Sequence, residues 1–227
     1  IMTIKRLIMS ALFAFAGITS FAQSKEALWI EYYPDFQVGR WRLTPEISYR
    51  SVDFSGSHVA YFRPTATYGV NKYLSVAGSL AYFVSWNDFT ANKHEWSIYQ
   101  NLATRTPSLA GFYLGLNVRM EEIFAKTSLD PDHTFGLRLR WSPRLTYDLP
   151  FWTDKKLSLS VFAETYNFLT ASQANYFRNG LDLGAGFTVS PVKKIDVIFE
   201  YRRQRSYRPG PDAFSNLFRF MIRHSIL

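Results

Sequence analysis

The chain has no cysteine. It can therefore carry neither a lipoprotein's lipid-bearing cysteine nor a disulfide framework, and its stability has to come from the fold and its surroundings. Beyond residue 18 no segment reaches the ~20 uninterrupted apolar residues that a transmembrane helix needs, so any crossing of a membrane falls to strands. Histidine is sparse: His58, His94, His133 and His224 stand in no metal-ligating spacing such as His-Glu-x-x-His. No Gly-x-Ser-x-Gly elbow or glycine-rich phosphate loop occurs either. With no catalytic, cofactor or metal motif, the sequence is read as non-enzymatic.

What is present begins with an export signal. Lys5 and Arg6 precede an apolar stretch from Leu7 to Ile18, and Ser20-Phe21-Ala22 offers small residues at the two positions a signal peptidase reads. Residues 1–22 are expected to be a cleaved secretory signal peptide, with the mature chain starting at Gln23. The formal net charge is +8, and a basic chain can be a nucleic-acid binder. Here the arginines alternate with apolar residues instead of clustering, which argues against nucleic acid. A positive excess suits acidic residues inside a lumen and lipopolysaccharide phosphates at a rim.

The alternation is clearest from Phe135 onward. Phe135, Leu137, Leu139, Trp141, Leu145 and Tyr147 fall on one face of a strand, and Gly136, Arg138, Arg140, Ser142, Arg144 and Thr146 on the other. Similar segments run roughly 40–51, 57–70, 73–86, 94–105, 112–124, 134–148, 156–168, 177–190, 194–205 and 215–227. Their lengths match the ~9–11 residues a tilted strand needs to cross a bilayer. The expected fold is all-β: a transmembrane antiparallel up-and-down barrel of about ten strands, with twelve as the alternative, and a polar, charged lumen. Residues 40–227 form the barrel. Residues 23–39 hold a strand-like segment, Ala27 to Gln37, which would make an odd eleventh and is left as an extra strand, a plug or a periplasmic extension.

A soluble lipocalin-like barrel would turn the apolar face inward. Long strands, compact turns alternating with longer polar loops, and aromatics gathered at strand ends oppose it. Trp41, Tyr68, Phe112 and Tyr147 would form the periplasmic girdle; Tyr49, Phe62, Tyr82, Trp96, Phe124 and Tyr201 the outer one. The chain is thus expected in the outer membrane of a Gram-negative bacterium, meeting lipid, lipopolysaccharide, the barrel insertion machinery and another envelope protein as partners. Pro45 and Pro64 sit inside strands, almost opposite one another, and their missing donors are expected to weaken that strand pair.

Hairpin register places Glu121 opposite Arg138, Arg119 opposite Arg140, Arg140 opposite Glu164, and Asp182 opposite Arg202. Arg42, Glu46, Arg63, Glu95, Glu200, Arg219 and Arg223 join this mixed-charge belt, and glycines on the same face, Gly180, Gly184 and Gly186 among them, make room for guanidinium groups. Such a network can fill the bore and serve a structural or interaction role in the envelope. Alternatively its surplus arginines line a narrow anion-preferring channel or a small-ligand cavity. A third alternative is a rim hydrolase or acyltransferase built on Asp130, Asp132 and His133, beside Ser128, although Asp130-Pro131-Asp132 is equally good turn chemistry.

Leu28-Trp29, Arg50, Glu95, Arg119-Met120-Glu121, Arg138-Leu139-Arg140, Glu164 to Phe168, Arg178-Asn179-Gly180 followed by Gly184, and Tyr201 with Gln204 occur in an order that resembles a family of small Gram-negative outer-membrane proteins catalogued as domain of unknown function 2490. The resemblance implies a barrel with an arginine and glutamate interior and supplies no activity, ligand or catalytic residue.

Overall fold

Side chains that alternate at period two give every strand one apolar and one polar face, and the chain buries the polar one. A computed structural model describes residues 25–52, 57–87, 90–127, 134–149, 157–171, 179–207 and 213–226. Among them are eleven strands: β1 (Lys25–Val38), β2 (Trp41–Val52), β3 (Ser57–Gly69), β4 (Leu74–Asn87), β5 (Thr90–Arg105), β6 (Phe112–Thr127), β7 (Thr134–Asp148), β8 (Leu157–Ala171), β9 (Gly180–Val192), β10 (Ile195–Ser206) and β11 (Ala213–Ser225). Each pairs with its sequence neighbour, and β1 pairs with β11 to close the cylinder. Outward residues such as Ile47, Val161 and Leu183 are more than half exposed, whereas inward Glu46 and Glu121 are 1% and 0% exposed.

The strand number corrects the expected ten or twelve. Even-numbered closure holds when every contact is antiparallel; here β1 and β11 run parallel, Leu28 facing Phe218 and Tyr32 facing Ile222. That one parallel contact lets an odd number close. The segment at 27–37 is β1, a stave of the wall that turns Ala27, Glu31 and Asp35 inward and Ile30 and Tyr32 outward. The expected signal peptide, residues 1–22, lies outside the described residues.

Loop asymmetry is also weaker than expected. At one end the chain turns at Gly39-Arg40 and Lys193-Lys194; at the other, where the longer polar loops were expected, β4 runs to Asn87 and β5 already starts at Thr90. Strands of 12 to 16 residues exceed what a bilayer crossing requires, so pairing continues past the apolar band and consumes the loops.

Aromatic residues pair across strands near both ends. Trp41 lies 5.0 Å from Tyr68 and Phe112 stacks 4.2 Å from Tyr147 at one end; Tyr82 lies 4.4 Å from Trp96 and Tyr201 5.5 Å from Phe218 at the other. The Trp and Tyr rings among them combine an apolar body with a polar tip, the chemistry of a membrane interface.

Pro45 faces Pro64 within an unbroken β2–β3 ladder. Their absent donors point away from each other: the β1–β2 ladder skips 33–35 against 44–46, and the β3–β4 ladder skips 63–64 against 80–81. Because residues opposite one another alternate between bonded and non-bonded pairs, two prolines at a non-bonded pair leave their shared ladder whole and weaken the flanking ones. The expected weak pair is therefore displaced to β1–β2, where the same register sets Pro34 opposite Pro45.

Candidate functional site: an arginine-faced bore

Period two carries one polar side chain inward every second residue, and adjacent strands bring these within reach around the wall. Glu121 on β6 receives Arg119 at 3.4 Å, Arg140 at 3.5 Å and Arg138. Arg140 also reaches Glu164 on β8 at 3.1 Å, and Glu164 meets Arg202 on β10 at 3.2 Å. Arg202 binds Glu200 at 2.8 Å, and Glu200 also takes Arg144 at 2.6 Å and Arg219 on β11 at 3.3 Å. Arg219 continues to Glu31 on β1 at 2.7 Å. From there Tyr33 and Tyr61 bridge Glu31 to Glu46 on β2, which pairs with Arg63 on β3. The Tyr99 ring on β5 lies 5.4 Å from the Arg63 guanidinium and 5.5 Å from that of Arg119, so the circuit returns to β6.

The structure sets Glu121 opposite Arg138 and Arg119 opposite Arg140. Two other registers differ from expectation. Arg140 faces Tyr166 because the whole β7–β8 ladder from Asp148 facing Ser158 to Arg138 facing Phe168 is centred one residue later than expected, and Asp182 faces Gln204 because the turn falls at Lys193-Lys194 and an irregularity follows between Ile195 and Val197. Guanidinium arms are long enough to absorb the slip: Arg140 still reaches Glu164, and Arg202 stands 3.7 Å from Asp182. Sequence reasoning missed Glu31 and Tyr33, since it left β1 unplaced; the inward alternation of Ala27, Trp29, Glu31 and Tyr33 was the available signal. Asp130, Asp132 and His133, with Ser128, lie outside the described residues. Among the described residues no group of three or more His, Cys, Asp or Glu side chains is placed to hold a metal.

Gly180 and Gly184 of β9 make room for aromatic rings rather than for arginines, and Gly186 makes room for the Phe199 backbone and the Glu200 side chain. A Cβ on Gly184 would overlap the Phe162 ring, and one on Gly180 the Tyr166 ring. Phe162 in turn carries Arg144 at 4.3 Å and Arg202 at 4.7 Å, and Tyr166 carries Arg140 at 5.3 Å and Arg138 at 5.9 Å. Glycine admits the ring, and the ring supports the cation from below.

Charge is layered as a result. The side chains of Glu31, Glu46, Glu121, Asp182 and Glu200 are at most 2% exposed, tucked against the wall. Those of Arg119, Arg138, Arg140 and Arg144 are 19% to 34% exposed. They face a cavity of about 520 Å³, also lined by Arg50, Arg63, Arg202 and Arg219. Eight arginines line it against the three carboxylates of Glu95, Glu164 and Asp182, so the surface offered to the cavity is mainly cationic, although Glu164 at 13% is more exposed than Arg202 at 8%.

Eight of the residues that carry the family resemblance converge here: Trp29, Arg50, Glu95, Arg119, Arg138, Arg140, Glu164 and Gln204 all line this cavity. The solved β domain of the Bordetella autotransporter BrkA is similar in structure, with a TM-score of 0.60 and 10% sequence identity over 86% of this chain and 87% of that one. At that identity the likeness is one of fold, that of an outer-membrane-type β-barrel. No curated protein sequence matches the chain. The profile of the family described as "Protein of unknown function (DUF2490)" matches residues 26–215, and the chain belongs to that family.

Proposed function

We propose that the protein is a non-enzymatic barrel of a Gram-negative outer membrane, exported behind residues 1–22, whose charged wall keeps the bore in shape and offers its arginines to a small acidic solute. The observation that carries this reading is the layering of charge. Carboxylates at the wall hold the arginines and aromatic rings support them, while the guanidinium faces remain directed at an open cavity. A network that served the wall alone would need no such void, and a cavity of about 520 Å³ falls within the ~300–1,000 Å³ range of small-molecule sites. The exposed apolar outer face and the aromatic pairs at both ends support contact with lipid and lipopolysaccharide. Assembly by the barrel insertion machinery and association with another envelope protein belong to the same reading.

The test is ion passage and anion binding by the purified protein. In planar bilayers a passage through this bore favours anions over cations, and a closed bore gives no conductance but retains anions in equilibrium dialysis. Cation preference, or neither conductance nor anion retention, would overturn the proposal.

A further inference from the structure

Among the described residues, lysine or arginine occupies three outward positions of the strands: Lys126 on β6, and Arg203 and Arg205 on β10. Arg202 and Gln204 line the cavity, so by alternation Arg203 and Arg205 point away from it, and both are partly exposed. All three cations stand at the end of the wall opposite the turns Gly39-Arg40 and Lys193-Lys194. At the turn end the cations Arg40, Lys72, Lys193 and Lys194 belong to the turns and not to the outer face of a strand. Each outward cation also follows a ring of the outer girdle: Lys126 comes two residues after Phe124, and Arg203 two after Tyr201. Two residues of strand rise by ~7 Å. With the girdle rings at the boundary between hydrocarbon and headgroups, the arginines stand among the headgroups.

Arg203 and Arg205 differ from Lys126 in being a supported pair. The Phe214 ring on β11 lies 5.2 Å from the Arg203 guanidinium and 5.7 Å from that of Arg205, and the Tyr207 ring lies 5.0 Å from Arg205. Among the described residues no carboxylate pairs with Arg203; Glu26 stands two strands away, beyond Asn216. Two cations ~7 Å apart on one face of a strand repel each other, and a single phosphate between them accepts hydrogen bonds from both. Towards the turn end the wall is apolar. Leu183, which faces Arg203, is 53% exposed, and Phe187 stacks on Phe199 at 5.7 Å. A phosphate-sized gap between cations, directly above a broad apolar bed, matches a lipid that carries phosphate on its headgroup and several acyl chains below.

Resting on the lipid-facing reading above, we propose that the outer face of β9–β11 is a binding site for a phosphorylated glycolipid of the lipopolysaccharide type, its phosphate between Arg203 and Arg205 and its acyl chains over Leu183, Phe187 and Phe199. The restriction of outward cations to one end of the wall supports a lipid confined to one leaflet.

Native mass spectrometry of the whole protein in detergent micelles tests this with bisphosphorylated lipid A, its dephosphorylated form, phosphatidylglycerol and inorganic phosphate. Each arginine near an anionic headgroup is worth about fivefold in affinity, so lipid A is expected to be retained about twentyfold better than its dephosphorylated form. Arg203→Gln combined with Arg205→Gln should remove that preference, and Lys126→Gln, an isolated rim cation on another strand, should leave it in place. The comparison of the two lipid A forms needs no variant, so the proposal remains testable if the double variant does not fold. Equal retention of the two forms, or an equal loss on Lys126→Gln, would overturn the site and leave the lipid-facing barrel standing. Phosphatidylglycerol retained as well as lipid A, or lipid A displaced by millimolar inorganic phosphate, would overturn the glycolipid assignment. A protein that needs no detergent and retains no lipid would overturn both the site and the lipid-facing reading.

Discussion

Two stretches of the wall each hold a buried glutamate beneath arginines, but they stand on different backbones. On β6–β7, Glu121 lies behind a ladder unbroken from Phe112 facing Tyr147 to Ala125 facing Thr134. On β1–β2, Glu46 lies where the ladder skips residues beside Pro34 and Pro45, and Glu31 is paired with Ser48 just before that gap, next to the parallel β1–β11 contact. Around that gap the side chains bridge the strands: Tyr33 on β1 donates to Glu46 on β2 at 2.9 Å, and Thr44 on β2 to Asp35 on β1 at 2.8 Å. The same chemistry therefore has two roles. At β6–β7 the backbone joins the strands and the charges shape the cavity, whereas at β1–β2 the charges help to join the strands.

The sharpest way to break this comparison is to remove a carboxylate on each side. Glu46→Ala strands Arg63 and unties Tyr33 and Tyr61, and Glu121→Ala strands Arg119 and Arg138 and leaves Arg140 to Glu164 alone; each is expected to cost about 3–5 kcal/mol in urea unfolding from lipid vesicles. Hydrogen exchange should separate them, with faster exchange across β1–β2 for Glu46→Ala and retained protection across β6–β7 for Glu121→Ala. Equal loss of protection in both ladders would end the distinction. The outer faces of the two regions should, by contrast, behave alike. Ile47→Arg on β2 and Met120→Arg on β6 each place a cation on the apolar surface, at an expected cost of about 2–4 kcal/mol near the bilayer midplane. A large difference in unfolding midpoint between them would show that the regions differ outside as well as inside.

Smaller effects refine the account. Gly184→Ala pushes a methyl group into the Phe162 ring beneath Arg144 and Arg202, and overpacking of this kind costs about 1–3 kcal/mol. Its signature is a lower unfolding midpoint with protection across β1–β2 unchanged. Pro45→Thr returns a donor to the β1–β2 gap and is expected to stabilise by about 0.5–1.5 kcal/mol, with slower exchange of the flanking amides. No gain would mean that the gap has another cause than the missing donor.

The cylinder was legible in the sequence because one period, repeated over eleven segments, sorts residues between oil and charge, and Phe135 to Tyr147 shows it without further help. The facing pairs Glu121 with Arg138 and Arg119 with Arg140 followed from counting back from a turn. Counting failed where the β7–β8 ladder is centred one residue later, and where a turn at Lys193-Lys194 followed by an irregularity at Ile195/Val197 shifted the register, since neither leaves a mark in residue type. The eleventh stave was visible as alternation at 27–37, but nothing local to it announces a parallel partner nearly two hundred residues away. The void was illegible for a related reason: residue types give the charges on a wall, whereas rings seated on Gly180 and Gly184 decide how far each guanidinium stands from it.

The central claim is that the apolar face of each strand meets lipid and the charged face meets the bore. Since the chain has no cysteine of its own, single cysteines on β7 can each carry a fluorophore in the protein reconstituted in vesicles. Trp141→Cys and Leu145→Cys should be quenched by lipids brominated on their acyl chains, and Ser142→Cys, which lies on the cavity wall, should be spared. Lipid quenching at 142 with none at 141 and 145, or equal quenching at all three, would contradict the account.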